Sequence, residues 1–265
     1  MGMKNSQAIF QRTMESILSD LKGVIVYHDD ILCFAENDES LVKRLAAIKT
    51  RLLEKRVTIN EAKSVSLCDE ITYLGFKVSA RGIEPDETLV KKIANISTPT
   101  CKKDVDSFIG LANYFGRLIP NFTVLMAPLN RLRKTGIKFV WDAHCSHAFN
   151  RVKKIISSSP VVQPYCLHKD VTLTTDASKE AIGACLVQEN HPVIHISRKL
   201  SNAEKNYSNI EREALAVVWA VVRLKHFLLG RSFDICTDHK PLVHLFCNAS
   251  AIPMGNSARI CYWAL

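Results

Sequence analysis

A chain of 265 residues with 47% apolar residues is long enough to bury one to three cores, and its longest apolar run, Ala214 to Val222 between Glu213 and Arg223, is too short to span a bilayer. The net charge of +9 is local: residues 1–100 carry 14 basic and 14 acidic side chains, whereas 101–160 carry 10 and 3, a distribution that suits a surface following a phosphate backbone. Nine cysteines stand singly, with no Cys-x-x-Cys, so the chain offers neither a zinc-site spacing nor a disulfide framework and fits a reducing, intracellular setting, cytoplasmic or nuclear.

In chain order, residues 7 to 21 have helical character and lead through Gly23 into two apolar tetrads, Gly23-Val24-Ile25-Val26 and Ile31-Leu32-Cys33-Phe34. Between them stands Tyr27-His28-Asp29-Asp30, which predicts a tight hairpin with the acidic pair at its tip. Adjacent carboxylates repel one another unless cations neutralise them, and hard divalent ions with oxygen ligands are the natural neutralisers. Glu39 to Arg56 reads as an amphipathic helix, with Leu41, Leu45, Ile48, Leu52 and Leu53 recurring at three and four. Strands are expected around Val57 to Ile59 and from Ile71 to Val78, ending at Ser79-Ala80-Arg81-Gly82. Helices follow at Asp86 to Ile96, Lys103 to Leu118 and His144 to Ser157, punctuated by Pro85, Pro99 and Pro120. Within this basic stretch, Lys102, Lys103, Arg117, Arg131, Arg133, Lys134 and Lys138 are candidates for contacting nucleic acid, while the aromatic residues read as core.

Beyond Tyr165 the pattern changes to strands: Val171 to Thr175 ending at Asp176, Ala181 to Val187, and Val193 to Ser197. A long helix from Ala203 to Leu229 and a strand from Phe233 to Thr237, ending at Asp238, complete the series. Acids at the ends of two strands and near the start of a long helix can converge although they are distant in sequence. Glu211 and Glu213 lie about 200° apart on a helix, so only one can face the sheet. Periodicity barely separates them, because the helix is apolar nearly all round.

Four segments then carry a resemblance in order over about 80 residues. Gly2-Met3-Lys4-Asn5-Ser6-Gln7-Ala8-Ile9-Phe10-Gln11, Tyr27-His28-Asp29-Asp30, Ile59-Asn60-Glu61-Ala62-Lys63 and Tyr73-Leu74-Gly75-Phe76 are similar to the palm of gypsy-type long-terminal-repeat retrotransposon reverse transcriptases. Phe108 to Phe122, Phe139-Val140-Trp141 and Ala148-Phe149 resemble the thumb and connection region of that family. Thr174-Thr175-Asp176-Ala177-Ser178, Tyr207 to Ala216, and Thr237-Asp238-His239-Lys240-Pro241-Leu242 resemble its ribonuclease H domain.

The resemblance implies a multidomain α+β and α/β chain: a partial right-hand palm over 1–82, a helical thumb and connection over 83–165, and a ribonuclease H-like mixed sheet with helices over 166–265. It implies RNA-directed DNA synthesis and hydrolysis of RNA in RNA–DNA hybrids by two-metal catalysis, with magnesium as the expected ion and manganese as its substitute. Asp29, Asp30, Asp176, Glu213 and Asp238 would be the catalytic metal ligands, Glu211 being a first-turn charge favoured by the helix dipole. Gln7, Tyr27, His28, Lys63, Leu74 and Gly75 would contact nucleotide or primer. Lys102, Lys103, Arg117, Arg131 and Arg133 would follow the nucleic-acid backbone. The implied partners are RNA–DNA hybrid, DNA and RNA template–primer, and deoxynucleotides if the remainder of the palm is supplied, with no membrane.

Three departures from the family pattern bear on activity. The polymerase acid carried on an upstream palm strand is missing, so polymerisation by this chain alone is not expected. A fourth ribonuclease H ligand is also missing, the chain ending at Arg259-Ile260-Cys261-Tyr262-Trp263-Ala264-Leu265 in what resembles the approach to a last helix. His28 replaces a small or aliphatic residue, where an imidazole would either crowd the nucleotide or add a third metal ligand, crowding being the favoured of the two. The competing expectation is a catalytically silent, domesticated or degenerate nucleic-acid-binding protein.

Overall fold

A computed structural model describes residues 5–158 and 161–247, which fall into two compact units, 1–73 and 74–265. In the first unit, α1 (Ser6–Leu18) precedes an antiparallel pair, β1 (Val24–Tyr27) and β2 (Asp30–Cys33), then α2 (Asp38–Glu54) and the short strand β3 (Glu70–Tyr73). One face of the ribbon is apolar at alternate positions, and Val24, Val26, Ile31 and Cys33 pack against Met14, Ile17, Leu18, Ile48 and Leu52. Helix α2 starts where the Asn37 side chain accepts from the Ser40 N–H, followed by Asp38 and Glu39 in the first turn, a charge placement that suits a helix N-terminus. No strand forms at Val57 to Ile59. These residues run irregularly after α2, with Val57 and Ile59 lodged against the core instead of pairing.

The second unit opens with the hairpin of β4 (Phe76–Ser79) and β5 (Gly82–Pro85). The strand expected from Ile71 to Val78 is therefore broken, because Leu74 and Gly75 both take positive φ, 48° and 72°, and turn the chain. The φ of Gly75 favours glycine, and a Cβ there would also push aside Leu89 Cδ1, which it would meet at 2.7 Å. Helices α3 (Glu87–Ala94), α4 (Lys102–Tyr114), α5 (Phe122–Leu125), α6 (Ala127–Leu132) and α7 (Ala143–Ser157) follow. They share one core centred on Val105, Phe115, Leu129 and Val152, each fully buried.

A second core belongs to the sheet that follows, made of β6 (Thr172–Ala177), β7 (Ala181–Gln188), β8 (His191–Lys199) and β9 (Asp234–Cys236), in the order β8-β7-β6-β9. Strands β6 to β8 are antiparallel neighbours, and β9 runs parallel to β6. Helix α8 (Asn209–Arg223) packs Ala220 over Leu173 and Leu186, and Leu224 and Leu228 extend that contact. The single helix expected from Ala203 to Leu229 is divided: a 3-10 turn at Glu204–Asn206, α8, and α9 (Lys225–Leu228). The divisions fall at Ser208, which caps α8 with its side chain, and at Leu224. Helix α10 (Lys240–Cys247) ends the described chain. The segment Arg259 to Leu265 and residues 1–4 of the first motif lie outside the described residues. Among the described residues no helix is long and apolar enough to cross a membrane.

Candidate active sites

The first acidic site is built on β1 and β2. Their register pairs Tyr27 with Asp30, so His28 and Asp29 form a two-residue loop and Asp30 begins β2. The carboxylates are adjacent in sequence but differ in place, one in the turn and one on the ribbon. Tyr27 and Asp30 stand on the face turned away from the core and are exposed. His28 takes a φ of 53°, a region costly for a side chain with a Cβ, and its ring meets Tyr27 edge to face at 4.6 Å.

What holds that turn is Gln11 on α1. Its amide donates to the Val26 carbonyl at 3.0 Å and accepts from the His28 N–H, so one side chain grips both sides of the loop. Gly23 closes the other end of the ribbon at a φ of 72°, where any Cβ would collide with the Phe34 carbonyl and the Arg44 guanidinium that donates to it. Tyr73 also reaches this site. Its phenol is pushed up by burial and then by the charges of Asp30 and Tyr27, and its oxygen has no hydrogen-bond partner. Sequence reasoning missed Gln11 and Tyr73 as site residues. Both lay inside recognised segments, but a clamp between α1 and a hairpin leaves no periodic signal.

Gln7 is exposed on α1, one turn before Gln11, and Lys63 is exposed in a 3-10 turn. Leu74 and Gly75 form the turn into β4, where the Leu74 carbonyl accepts from the Tyr114 hydroxyl.

The second acidic site is assembled by topology. Asp176 lies near the end of β6, paired with Gly183 on β7. The last parallel pairing is Thr174 with Cys236; two residues further come Asp176, still within β6, and Asp238, just beyond the end of β9. Glu213 projects from the second turn of α8 and is 4% exposed, the one acid among the buried polar residues described. Its carboxyl is pushed up to about 7, first by burial and then by the negative charges of Asp238 and Asp176, against the opposing pull of an N–H donated by Ala177. One oxygen, Oε2, is buried without a partner.

Glu211 does different work. It occupies the third position of α8 and accepts from the Ser208 N–H at 2.9 Å, while the Ser208 hydroxyl receives the Glu211 N–H: a capping box. The structure thus separates two glutamates that periodicity barely distinguished. His239, beside Asp238, has a buried, unpartnered Nδ1 and was not singled out by the sequence.

The chemistry of this donor set fits a hard divalent cation: oxygen donors only, excess negative charge, and one buried oxygen without a partner. Among the described residues, no three His, Cys, Asp or Glu side chains stand close enough to hold an ion as they are. Glu213 is electrostatically coupled to both aspartates, but the three would have to draw inward around an ion.

The basic segment is less free than its composition suggests. Arg131 pairs with Asp142 and Arg133 with Asp106, each at 2.5 Å. Asp142 is pushed down to about 2, chiefly by the Cys145 N–H it accepts as helix cap, with Arg131 adding to it. Lys102 donates to the Lys134 carbonyl. Lys103 and Arg117 remain exposed, and Arg117 lines a cavity between the helices and β8.

Residues 1–78 match the family model described as reverse transcriptase (RNA-dependent DNA polymerase), and residues 141–235 match the model described as the RNase H-like domain found in reverse transcriptase. The class is thus a reverse transcriptase sequence joined to its ribonuclease H-like domain, and such families use divalent metal ions. The retrovirus-related Pol polyprotein from transposon 297 of Drosophila melanogaster is 37% identical over 244 residues, 91% of this chain and 23% of that protein. The corresponding polyprotein from transposon gypsy of the same organism is 36% identical, over 91% of this chain and 25% of its own length. The transposon Tf2-3 polyprotein of Schizosaccharomyces pombe is 30% identical over 100% of the chain and 20% of its own. The chain belongs to the gypsy-type long-terminal-repeat retrotransposon Pol family, and it spans about a quarter of the length of these curated relatives.

The fold has solved counterparts. The foamy viral protease-reverse transcriptase dRH in complex with double-stranded DNA superposes with a TM-score of 0.83 at 21% identity, covering 100% of this chain and 47% of that one. The foamy viral protease-reverse transcriptase in complex with RNA/DNA hybrid gives 0.79 at 22% identity, covering 100% of this chain and 37% of that one.

Proposed function

We propose that the second acidic site hydrolyses the RNA strand of RNA–DNA hybrids, with Asp176, Glu213 and Asp238 as holders of divalent cations, magnesium first and manganese as its substitute. Such ions supply activation of water and stabilisation of the leaving oxygen. The observation that carries the reading is Glu213: a buried carboxyl pushed up by two other acids, with one oxygen unpartnered, is unfavourable for folding alone and useful beside a cation. Ala177 fixes its orientation through its N–H, and the Ser208–Glu211 capping box sets the start of the helix that delivers it.

The domain reading accompanies this proposal: palm over 1–82, thumb and connection over 83–165, and ribonuclease H over 166–265. The separate cores of 93–162 and 171–228 support the second boundary. In the first acidic site we assign Asp29 and Asp30 as metal-holding acids of RNA-directed DNA synthesis. Gln7, Tyr27, His28, Lys63, Leu74 and Gly75 contact nucleotide or primer, and Lys102, Lys103, Arg117, Arg131 and Arg133 contact template–primer. For Arg131 and Arg133, that contact requires giving up Asp142 and Asp106.

The test is cleavage of a 5′-labelled RNA strand annealed to DNA, in magnesium and in manganese, by the 265-residue chain and by Asp176→Asn and Asp238→Asn. Removal of a charge-stabilising group should lower the rate about a hundredfold to a thousandfold. Equal cleavage by all three would contradict the proposal, and no metal-dependent cleavage by any would favour the silent nucleic-acid binder.

A further inference from the structure

One cavity of about 510 Å³ lies in the second unit, and none of Asp176, Glu213 and Asp238 lines it. Its walls come from the helices on one side and from β8 and α8 on the other, and three cations border it: Arg117, Lys199 and Arg223. Each belongs to a different element, and all three are exposed. Their environment differs from that of neighbouring basic residues. Arg131, Arg133, Lys169, Arg198 and Lys205 each hold a carboxylate. Arg117, Lys199 and Arg223 have no ion pair or side-chain hydrogen bond among the described residues, and Lys199 affects Glu180 only as the weaker partner behind Lys205. Asn113 and Asn130 add amide donors, and the Trp219 indole, with Arg198 over its ring at 5.6 Å, forms one wall.

Three uncompensated cations around an open cleft attract an anion. Guanidinium forks and amide N–H groups match phosphate oxygens, which accept several donors at once. The position of the cleft favours a polymer over a small ion. Ser197, in its wall, pairs with Gly183, and Gly183 pairs with Asp176, so the three form one row across the sheet. Two strand spacings of about 4.8 Å place that wall about 10 Å from the Asp176 strand, which is about three base-pair steps at 3.4 Å each. The helical side is anchored there as well, since the Thr123 N–H donates to Ser197 Oγ at 3.0 Å.

We propose that this cleft holds the phosphodiester backbone of a nucleic-acid duplex about three steps from the acids, with Arg117, Lys199 and Arg223 each neutralising one phosphate. The inference rests on nucleic acid as the substrate class proposed above, but binding without divalent ions reads it separately from hydrolysis. The experiment measures affinity of the full chain for an RNA–DNA hybrid in EDTA between 50 and 200 mM salt. The triple variant Arg117→Gln/Lys199→Gln/Arg223→Gln is compared with a charge-matched control built from ion-paired cations, Lys43→Gln/Lys169→Gln/Lys205→Gln.

Each lost phosphate contact lowers the slope of log affinity against log salt by about 0.9, so the cleft variant should lose about 2 to 3 and the control less than 1. If the triple variant melts early, Arg117→Gln and Arg223→Gln should each lose about 1 instead. Equal slopes for the cleft and control variants would overturn the proposal. Displacement of the Trp219 indole resonance by millimolar inorganic phosphate, but not by hybrid, would overturn it in favour of a small-anion site. Loss of hydrolysis in Asp176→Asn alongside unchanged slopes would sink this inference and leave the hydrolysis reading standing.

Discussion

The two acidic sites reach proximity by different routes. Asp29 and Asp30 are neighbours in the chain, and the fold only has to turn a ribbon there, which it does with the Gln11 clamp and a left-handed His28. Asp176, Glu213 and Asp238 span 62 positions and approach one another because β9 lies parallel beside β6 and α8 packs over β6 and β7. The difference teaches that a local site can stay exposed and depend on a few hydrogen bonds, whereas a topological site inherits burial from the core that assembles it. Burial raises the Glu213 carboxyl; no comparable enclosure surrounds Asp30, which is exposed.

The contrast can be broken hardest at Leu173, fully buried in β6 three residues before Asp176. Leu173→Ala should destabilise the second unit by about 2 to 5 kcal/mol, measured by denaturant unfolding. It should leave exchange of the hairpin amides in the first unit unchanged. Parallel losses in both units would deny their separate support.

A smaller effect sharpens the account of how α8 is placed. Arg198 holds Glu204 through two hydrogen bonds of 2.8 Å, and Ser201 N–H adds a third at 2.7 Å, which together drive the carboxyl down to about 2. Because the folded state lowers this group, its stabilisation is present above the ordinary carboxylate range near 4.5 and is lost as pH falls toward about 2. Glu204→Gln should cost about 2 kcal/mol near neutrality. The gap in melting temperature between wild type and variant should close between pH 4.5 and 2; a constant gap would show that charge plays no part.

The smallest effect belongs to the hairpin. Gln11→Ala removes one donor and one acceptor at the turn and should cost about 1 kcal/mol, seen as faster exchange of the His28 amide with β6 amides unaffected. Unaltered His28 exchange would remove Gln11 from the account.

Much of this was legible in the sequence. The Leu and Ile spacing of α2 and the bounds of α3 and α7 came from periodicity and proline, and the second acid set came from strand-terminal aspartates in order. What periodicity could not supply was the choice between Glu211 and Glu213 on a helix apolar nearly all round. Family resemblance pointed to Glu213, and burial with a capping box gives the physical reason. Val57 to Ile59 had strand composition but no partner strand to pair with. Tyr73 to Phe76 read as one strand because its turn lies in Leu74, a residue seldom found at positive φ. Arg131 and Arg133 read as free cations because Asp106 and Asp142, 27 and 11 positions before and after them, become their partners only in the fold.

Glu213 is buried and raised by Asp238 and Asp176, whereas Glu211 caps its helix, so the proposed hydrolysis assigns the metal-holding role to Glu213 and not to Glu211. The most direct measurement takes Glu213→Gln and Glu211→Gln through hybrid cleavage in magnesium and thermal melting in EDTA. Glu213→Gln removes a buried charge while keeping an acceptor for the Ala177 N–H, so cleavage should fall at least a hundredfold while the melting temperature rises. Glu211→Gln should keep cleavage within a fewfold of wild type and melt slightly earlier, through a weakened cap. Equal losses of cleavage in the two variants, or a Glu213→Gln protein that melts earlier and still cleaves, would contradict the account.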